Sequence, residues 1–162
     1  NGKPAYMYIK LNNLVDAPVI KKLYEASQAG VKIECIIRGI CGLVPGIKGL
    51  SENINVRSIV GRYLEHSRIL IFANGGEEKY FISSADWMER NIDKRIEVTT
   101  PILDPDLQKD LKYIIEAALK GNQKARIIDA QQKNKKVKVD EQGAFNSQNE
   151  LYAYFCEKSK NS

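Results

Sequence analysis

The feature that most constrains this fold is a strand, a helix and a second strand packed into the first 37 residues. Residues 5–11 (AYMYIKL) mix aromatic and β-branched side chains and predict a strand that closes at Asn12-Asn13. Residues 16–29 predict a helix. Asp16 stands at the capping position, Pro18 falls in the first turn, and Val19, Ile20, Leu23, Tyr24 and Ala26 mark one apolar side. Gly30 suits the left-handed exit, and residues 31–37 (VKIECII) predict the second strand. Such a unit implies parallel strands and a right-handed crossover.

The remaining chain extends this beginning. Residues 38–50 (RGICGLVPGIKGL) form a glycine-rich loop at the carboxyl end of the second strand. Residues 54–59, 67–72, 79–83 and 95–100 are β-like, with Asn74-Gly75-Gly76 as a tight turn. Residues 104–119 predict the best helix: Leu107, Leu111, Ile114, Ile115, Ala118 and Leu119 recur at helical spacing between Pro105 and Gly121. Residues 125–128 predict a short last strand. Ser147-x-x-Glu150 reads as a capping box before a terminal helix carrying Leu151, Tyr152, Tyr154 and Phe155. The expected class is α/β, a mixed sheet flanked by helices, and 162 residues suit one domain.

Composition narrows the function classes. The three cysteines, Cys35, Cys41 and Cys156, show no CxxC spacing and fit free thiols in a reducing cytosol, with Cys35 in the core. No apolar run approaches the length of a membrane span, and the first residues lack a secretory pattern. Asn1, where an initiator methionine would stand, leads us to expect a segment of a longer chain. The net charge of +5 is uneven: residues 120–140 hold seven basic and two acidic side chains. That segment is either a solvated basic loop or a surface for a polyanion.

His66 is the single histidine, and it stands in RYLEHSR directly before a predicted strand. An imidazole among arginines suits phosphate chemistry: the ring attacks phosphorus or donates a proton while guanidinium groups hold anionic oxygens. Arg68 shares its face if the strand has begun by then. Glu65 either forms a surface ion pair or orients the imidazole. Arg38, ending a buried strand where ligands collect in open α/β sheets, is placed for an anion or for loop carbonyls. Ser83 and Ser84 are phosphate donors or turn residues. Trp87 reads as core. GxGxxG and the P-loop pattern are both missing from the sequence.

These residues carry a resemblance. GRYLEHSRILIFANGGEEKYFISSADWMERNIDKRIEVTTPILDP, with IKLNNLVD and IIRGICGLVPG upstream, resembles the C-terminal catalytic region of the histidine-phosphorylated class of bacterial polyphosphate kinases. The resemblance covers nearly the whole chain. It implies a phospholipase-D-like fold, one of two catalytic halves, in a single domain over residues 1–162 of a longer kinase. It also implies reversible transfer of the terminal phosphate of ATP to polyphosphate through a phosphohistidine, with magnesium. The phosphorylated histidine is expected in the other half. Here His66 is expected as the second, catalytic and ATP-binding histidine, Arg38 as a phosphate-binding residue, and Arg68 and Ser84 as supporting residues. Magnesium ligands are expected outside this chain.

The chain departs from the wider H-x-K-x4-D diesterase pattern, with Arg68 in place of lysine and Ala73 in place of aspartate. Phospholipase-D-type diester cleavage and non-catalytic polyanion binding stay open as alternatives. The expected partners are ATP, ADP, polyphosphate, the remaining domains of the same chain and further copies of the full-length enzyme, without nucleic acid. The expected location is the cytoplasm or the membrane periphery.

Overall fold

The computed structural model describes residues 2–139 and 143–160. Strands β1 (Tyr6–Leu11), β2 (Lys32–Ile37), β3 (Ile54–Ile59), β4 (Ile69–Phe72), β5 (Lys79–Ser83), β6 (Thr99–Ile102), β7 (Ala125–Ile128) and β8 (Lys135–Lys136) form one mixed sheet in the order β6-β5-β4-β1-β2-β3-β7-β8. The three central strands β1, β2 and β3 are parallel, and every outer pairing is antiparallel. Helices α1 (Ala17–Gln28), α2 (Glu89–Lys94), α3 (Pro105–Lys120) and α4 (Ser147–Lys160), with a short 3-10 turn at Asn74–Gly76, complete the described elements.

The pleat divides the apolar residues between two cores. Ile9, Leu11, Ile33, Cys35, Ile37, Ile54 and Val56 pack with Leu23 of α1 on one face. Ile36, Ile59, Ile69 and Ile71 pack with Ile115 and Ala118 of α3 on the other. Successive strand residues point to opposite faces, so the near-continuous apolar run of β2 feeds both layers. Cys35 is fully buried, and burial raises its thiol pKa well above the ordinary range. Trp87 packs against the α1-side core, as its reading predicted.

The helix ends follow elementary capping chemistry. Asp16 accepts from the Val19 N–H (2.9 Å). At the other end of α1, Gly30 takes φ +88°, and the Gly30 and Val31 N–H groups bond back to Ser27 and Ala26. Asp104 caps α3 through the Asp106 and Leu107 N–H groups. Asp110 of α3 then accepts from Tyr154 (2.8 Å) and Lys158 (2.7 Å) of α4, and Tyr113 stacks on Tyr154.

Four details differ from expectation. The strand expected over 95–100 is β6 at Thr99–Ile102, because Val98 is held by Ser84 and the edge position tolerates Pro101. The strand expected from residue 67 begins at Ile69. The expected capping box is replaced by Asn146, whose Oδ1 accepts from the Gln148 and Asn149 N–H groups, leaving Ser147 inside the helix. Finally, α2 and β8 are short elements without strong sequence periodicity.

Candidate functional site

The site forms where the parallel strands end. Leu11 of β1 pairs with Ile37 of β2, so Asn12 and Arg38 emerge side by side. The Arg38 Nε–H donates to Asn12 Oδ1 (2.9 Å). Gly39 follows with its N–H on the Asn12 carbonyl (2.7 Å). A Cβ on Gly39 would lie 2.6 Å from Asn13 Oδ1 and 2.9 Å from the Asn12 carbonyl oxygen, so only glycine lets the loop turn here.

β4 runs antiparallel to β1 and therefore starts at this same edge, bringing Arg68 and His66 to it. Behind them lies Asp86, 4% exposed, reached by the turn after β5. Its Oδ1 accepts from Arg68 Nε (2.9 Å) and the Asn12 N–H (2.8 Å). Its Oδ2 accepts from Arg68 Nη2 and Asn13 Nδ2 (3.2 Å each). The Arg68 fork thus grips both carboxylate oxygens, the strong geometry for this pair. Burial alone would raise the Asp86 pKa, but the bonds from Arg68, Asn12 and Asn13 outweigh it and hold the carboxyl below its ordinary value.

Arg68 Nη2 also lies 3.1 Å from His66 Nε2. A guanidinium nitrogen has no lone pair to offer, so the ring accepts here through Nε2 and its proton sits on Nδ1. Asp86 therefore anchors two arms. One runs through Arg68 to His66, and the other through Asn12 to Arg38.

Lys10 extends this support beneath the His66 loop. It alternates with Ile9 and Leu11 along β1, yet it is only 4% exposed. Its Nζ lies 3.1 Å from both Glu65 Oε2 and Ser67 Oγ. Glu65 Oε1 in turn accepts from Gln148 Nε2 (2.8 Å). Gln148, in the first turn of α4, also accepts from the Tyr63 N–H and donates to the Tyr63 carbonyl (2.9 Å each). The terminal helix thereby holds the segment that carries His66.

The expected site residues separate under this geometry. Arg38, His66 and Arg68 come together at one edge. Glu65 does form an ion pair, but a half-buried one with Lys10 that holds the loop, and the orienting contact on His66 comes from Arg68. Arg62 lies over the Tyr63 ring (5.5 Å). Ser84 Oγ donates to Glu97 and accepts from the Val98 N–H (3.0 Å), so its hydroxyl is engaged within the β5–β6 connection.

Asp86, Asn12, Lys10 and Gln148 escaped sequence reasoning. Asp86 lies 74 positions from Asn12, and no local pattern marks such a contact. The sequential order of IKLNN and SSADW, each closing a strand, was the available signal.

Among the described residues no three His, Cys, Asp or Glu side chains gather as metal ligands. Two carboxylates beside the His66 segment are matched to cations, Asp86 to Arg68 and Glu65 to Lys10.

Residues 1–148 match the family described as polyphosphate kinase C-terminal domain 2. The chain is 57% identical over 121 residues to the polyphosphate kinase of Bacillus anthracis, covering 75% of this chain and 17% of that protein. It is 46% identical over 153 residues to that of Escherichia coli (strain K12), covering 94% of this chain and 22% of that protein. The chain thus spans about a fifth of the length of these curated relatives.

The crystal structure of the polyphosphate kinase from Porphyromonas gingivalis matches with a TM-score of 0.95 at 46% identity, over 99% of this chain and 25% of that one. Nuc from Salmonella typhimurium, a phospholipase D family member, matches with a TM-score of 0.56 at 14% identity over 79% and 84% of the two chains, a likeness of fold alone. No described helix is long and apolar enough to cross a membrane. A profile match over almost the whole chain, with close relatives in sequence and in structure, makes this chain a member of the polyphosphate kinase C-terminal domain 2 family.

Proposed function

We propose that this chain is one catalytic half of a cytoplasmic, oligomeric polyphosphate kinase, forming a single domain of a longer polypeptide. That enzyme moves the terminal phosphate of ATP reversibly onto polyphosphate. The observation that supports this reading most is the common anchoring of His66 and Arg38 on Asp86 at one sheet edge. On this reading, the anchor lets an imidazole N–H and a guanidinium serve one bound anion.

In the forward direction the bond between the γ-phosphorus and its bridging oxygen breaks, and the electron pair leaves with ADP. A bond forms from phosphorus to an imidazole nitrogen of a histidine outside this chain, which makes the full enzyme a phosphoprotein. In the second step the terminal oxygen of polyphosphate attacks that phosphorus and the phosphorus–nitrogen bond breaks. Charge on the transferring oxygens is what a protein can stabilise in such a step. Arg38 serves by holding two of those oxygens at once. His66 serves through Nδ1–H, because Nε2 is occupied by Arg68; this favours phosphate stabilisation over transfer of a proton from Nε2. Arg68 acts as a positioning residue. Ser84, engaged with Glu97, is assigned to shaping the β5–β6 connection.

Magnesium, which screens the phosphates in this chemistry, would be bound by the nucleotide and by residues outside this chain. Diester cleavage is less well supported. Ala73, at the position of the diesterase aspartate, is a 2% exposed core residue, and Arg68 is committed to Asp86.

The test is His66→Ala in the full-length enzyme. Nucleotide-dependent polyphosphate synthesis should fall on the order of 10²–10³-fold with the circular dichroism spectrum unchanged. Turnover near that of the wild type would overturn the assignment of His66.

A further inference from the structure

The segment after α3 carries six basic residues and one acidic residue between positions 121 and 139. The fold does not scatter them. Ser58 of β3 pairs with Arg126 of β7, and Arg126 pairs with Lys136 of β8. Directly paired residues share a face of the sheet, so a hydroxyl, a guanidinium and an ammonium stand in one row across three strands. They line a cavity of about 520 Å³ together with Val60, Asn122 and Lys124.

The cavity belongs to the same sheet edge as the candidate site. β3 runs parallel to β2, so Ser58 lies near its carboxyl end, beside Arg38. The Ser58 hydroxyl donates to the Arg38 carbonyl (3.4 Å). Ile59 pairs with Ala125, which sets Lys124 at that edge as well. From Ser58 to Lys136 the row crosses two strand spacings, roughly 10 Å, and the Arg38 carbonyl adjoins its Ser58 end.

The charges in this row lack counter-charges within the described residues. Asp129, the one acid of the described segment, accepts from the Lys133 N–H (2.8 Å) and faces Lys135 (3.7 Å). No described carboxylate lies within 4 Å of Lys124, Arg126 or Lys136. Arg126 Nη1 donates to the Asn134 carbonyl, which leaves its positive charge unbalanced. Lysines on an edge strand also keep that edge from pairing with another sheet. That role explains Lys135 and Lys136 but not Arg126 on the inner strand β7, nor Lys124 before it.

We infer that this row is a binding track for a linear polyanion without bases, the inorganic polyphosphate chain, continuing from the phosphate held at Arg38. The inference rests on the reaction proposed above and adds a location for the polymer. Single-stranded nucleic acid fits less well, because the cavity lining offers no aromatic ring for a base to stack on.

The experiment neutralises Lys124, Arg126 and Lys136 together to Ala in the full-length enzyme and measures ATP formation from polyphosphate and ADP. The control removes equal charge elsewhere, with Lys3, Lys21 and Lys32 changed to Ala; all three are exposed and outside the cavity. The expected result is a KM for polyphosphate raised on the order of tenfold with the KM for ADP unchanged. The control should leave both constants as they were. Binding of labelled polyphosphate to the intact protein should also lose part of its salt dependence, since fewer counterions are exchanged.

An unchanged KM for polyphosphate, an equal effect in the control, or equal competition by an oligodeoxynucleotide of matched charge would each overturn the track. If the wild-type enzyme makes no ATP from polyphosphate, the proposed reaction fails. The binding measurement then still decides whether the row holds the polymer.

Discussion

Replacing Asp86 by Asn removes one charge and almost no volume. The Asp86 side chain is 5% exposed and that of Arg68 12%, so the guanidinium would lose its counter-ion while largely out of water. Breaking a buried pair from one side costs about 3–5 kcal/mol. Asparagine keeps an oxygen for the Asn12 N–H, which puts the expectation at the lower end, about 3 kcal/mol. For a chain of this length each kcal/mol lowers the Tm by about 2–4 °C, giving a fall of about 6–12 °C.

The assay is thermal and urea unfolding of wild type, Asp86→Asn, Arg68→Met and the double variant at pH 7. A double-mutant cycle should return a coupling of about 2–3 kcal/mol. The pH dependence has a defined sign. Asp86 is held below its ordinary pKa, so its contribution is present above the unfolded value of about 3.9 and is lost as pH falls through the folded value. The gap between wild type and Asp86→Asn should therefore close below about pH 4. A Tm change under about 2 °C at pH 7, or strictly additive single variants, would refute the two-armed anchor.

Three further outcomes follow from the same geometry. Arg38→Lys keeps the charge but loses both the Nε–H bond to Asn12 and the planar fork, and steady-state kinetics of the full-length enzyme should show a marked loss of turnover. Gly39→Ala should lower stability by about 1–3 kcal/mol in urea titrations, because the new methyl meets Asn13 Oδ1 and the Asn12 carbonyl; wild-type stability would show that the loop yields freely. Gln148→Ala strips the Tyr63 amide of its acceptor, and hydrogen exchange at that amide should quicken while β1 and β2 stay protected.

Local signals made much of the fold legible. The first parallel pair, the Asp16 and Asp104 caps and the apolar side of α3 each depend on residues within a few positions of one another. His66 and Arg38 were also legible, since a lone histidine among arginines and an arginine ending a buried strand are unusual in themselves. What ties them together was not. Asp86 sits in a turn, and its importance arises only when β5 delivers it behind Asn12 and Arg68. Lys10 looks outward-facing in an alternating strand until the His66 loop and Gln148 close over it. Glu65 pairs with a residue 55 positions before it rather than with its neighbour in sequence. The capping box failed because Asn146, one position earlier, offers the better-placed acceptor.

The division of labour between this chain and the rest of the enzyme is tested most directly by mapping the phosphohistidine. Full-length enzyme is incubated with γ-labelled ATP and magnesium, digested at neutral pH, and the acid-labile label is assigned to peptides. Label is expected on a histidine outside these 162 residues and none on His66. His66→Ala should slow the appearance of that label. Acid-labile label on His66 itself, with polymer growth from this chain alone, would contradict this division of labour.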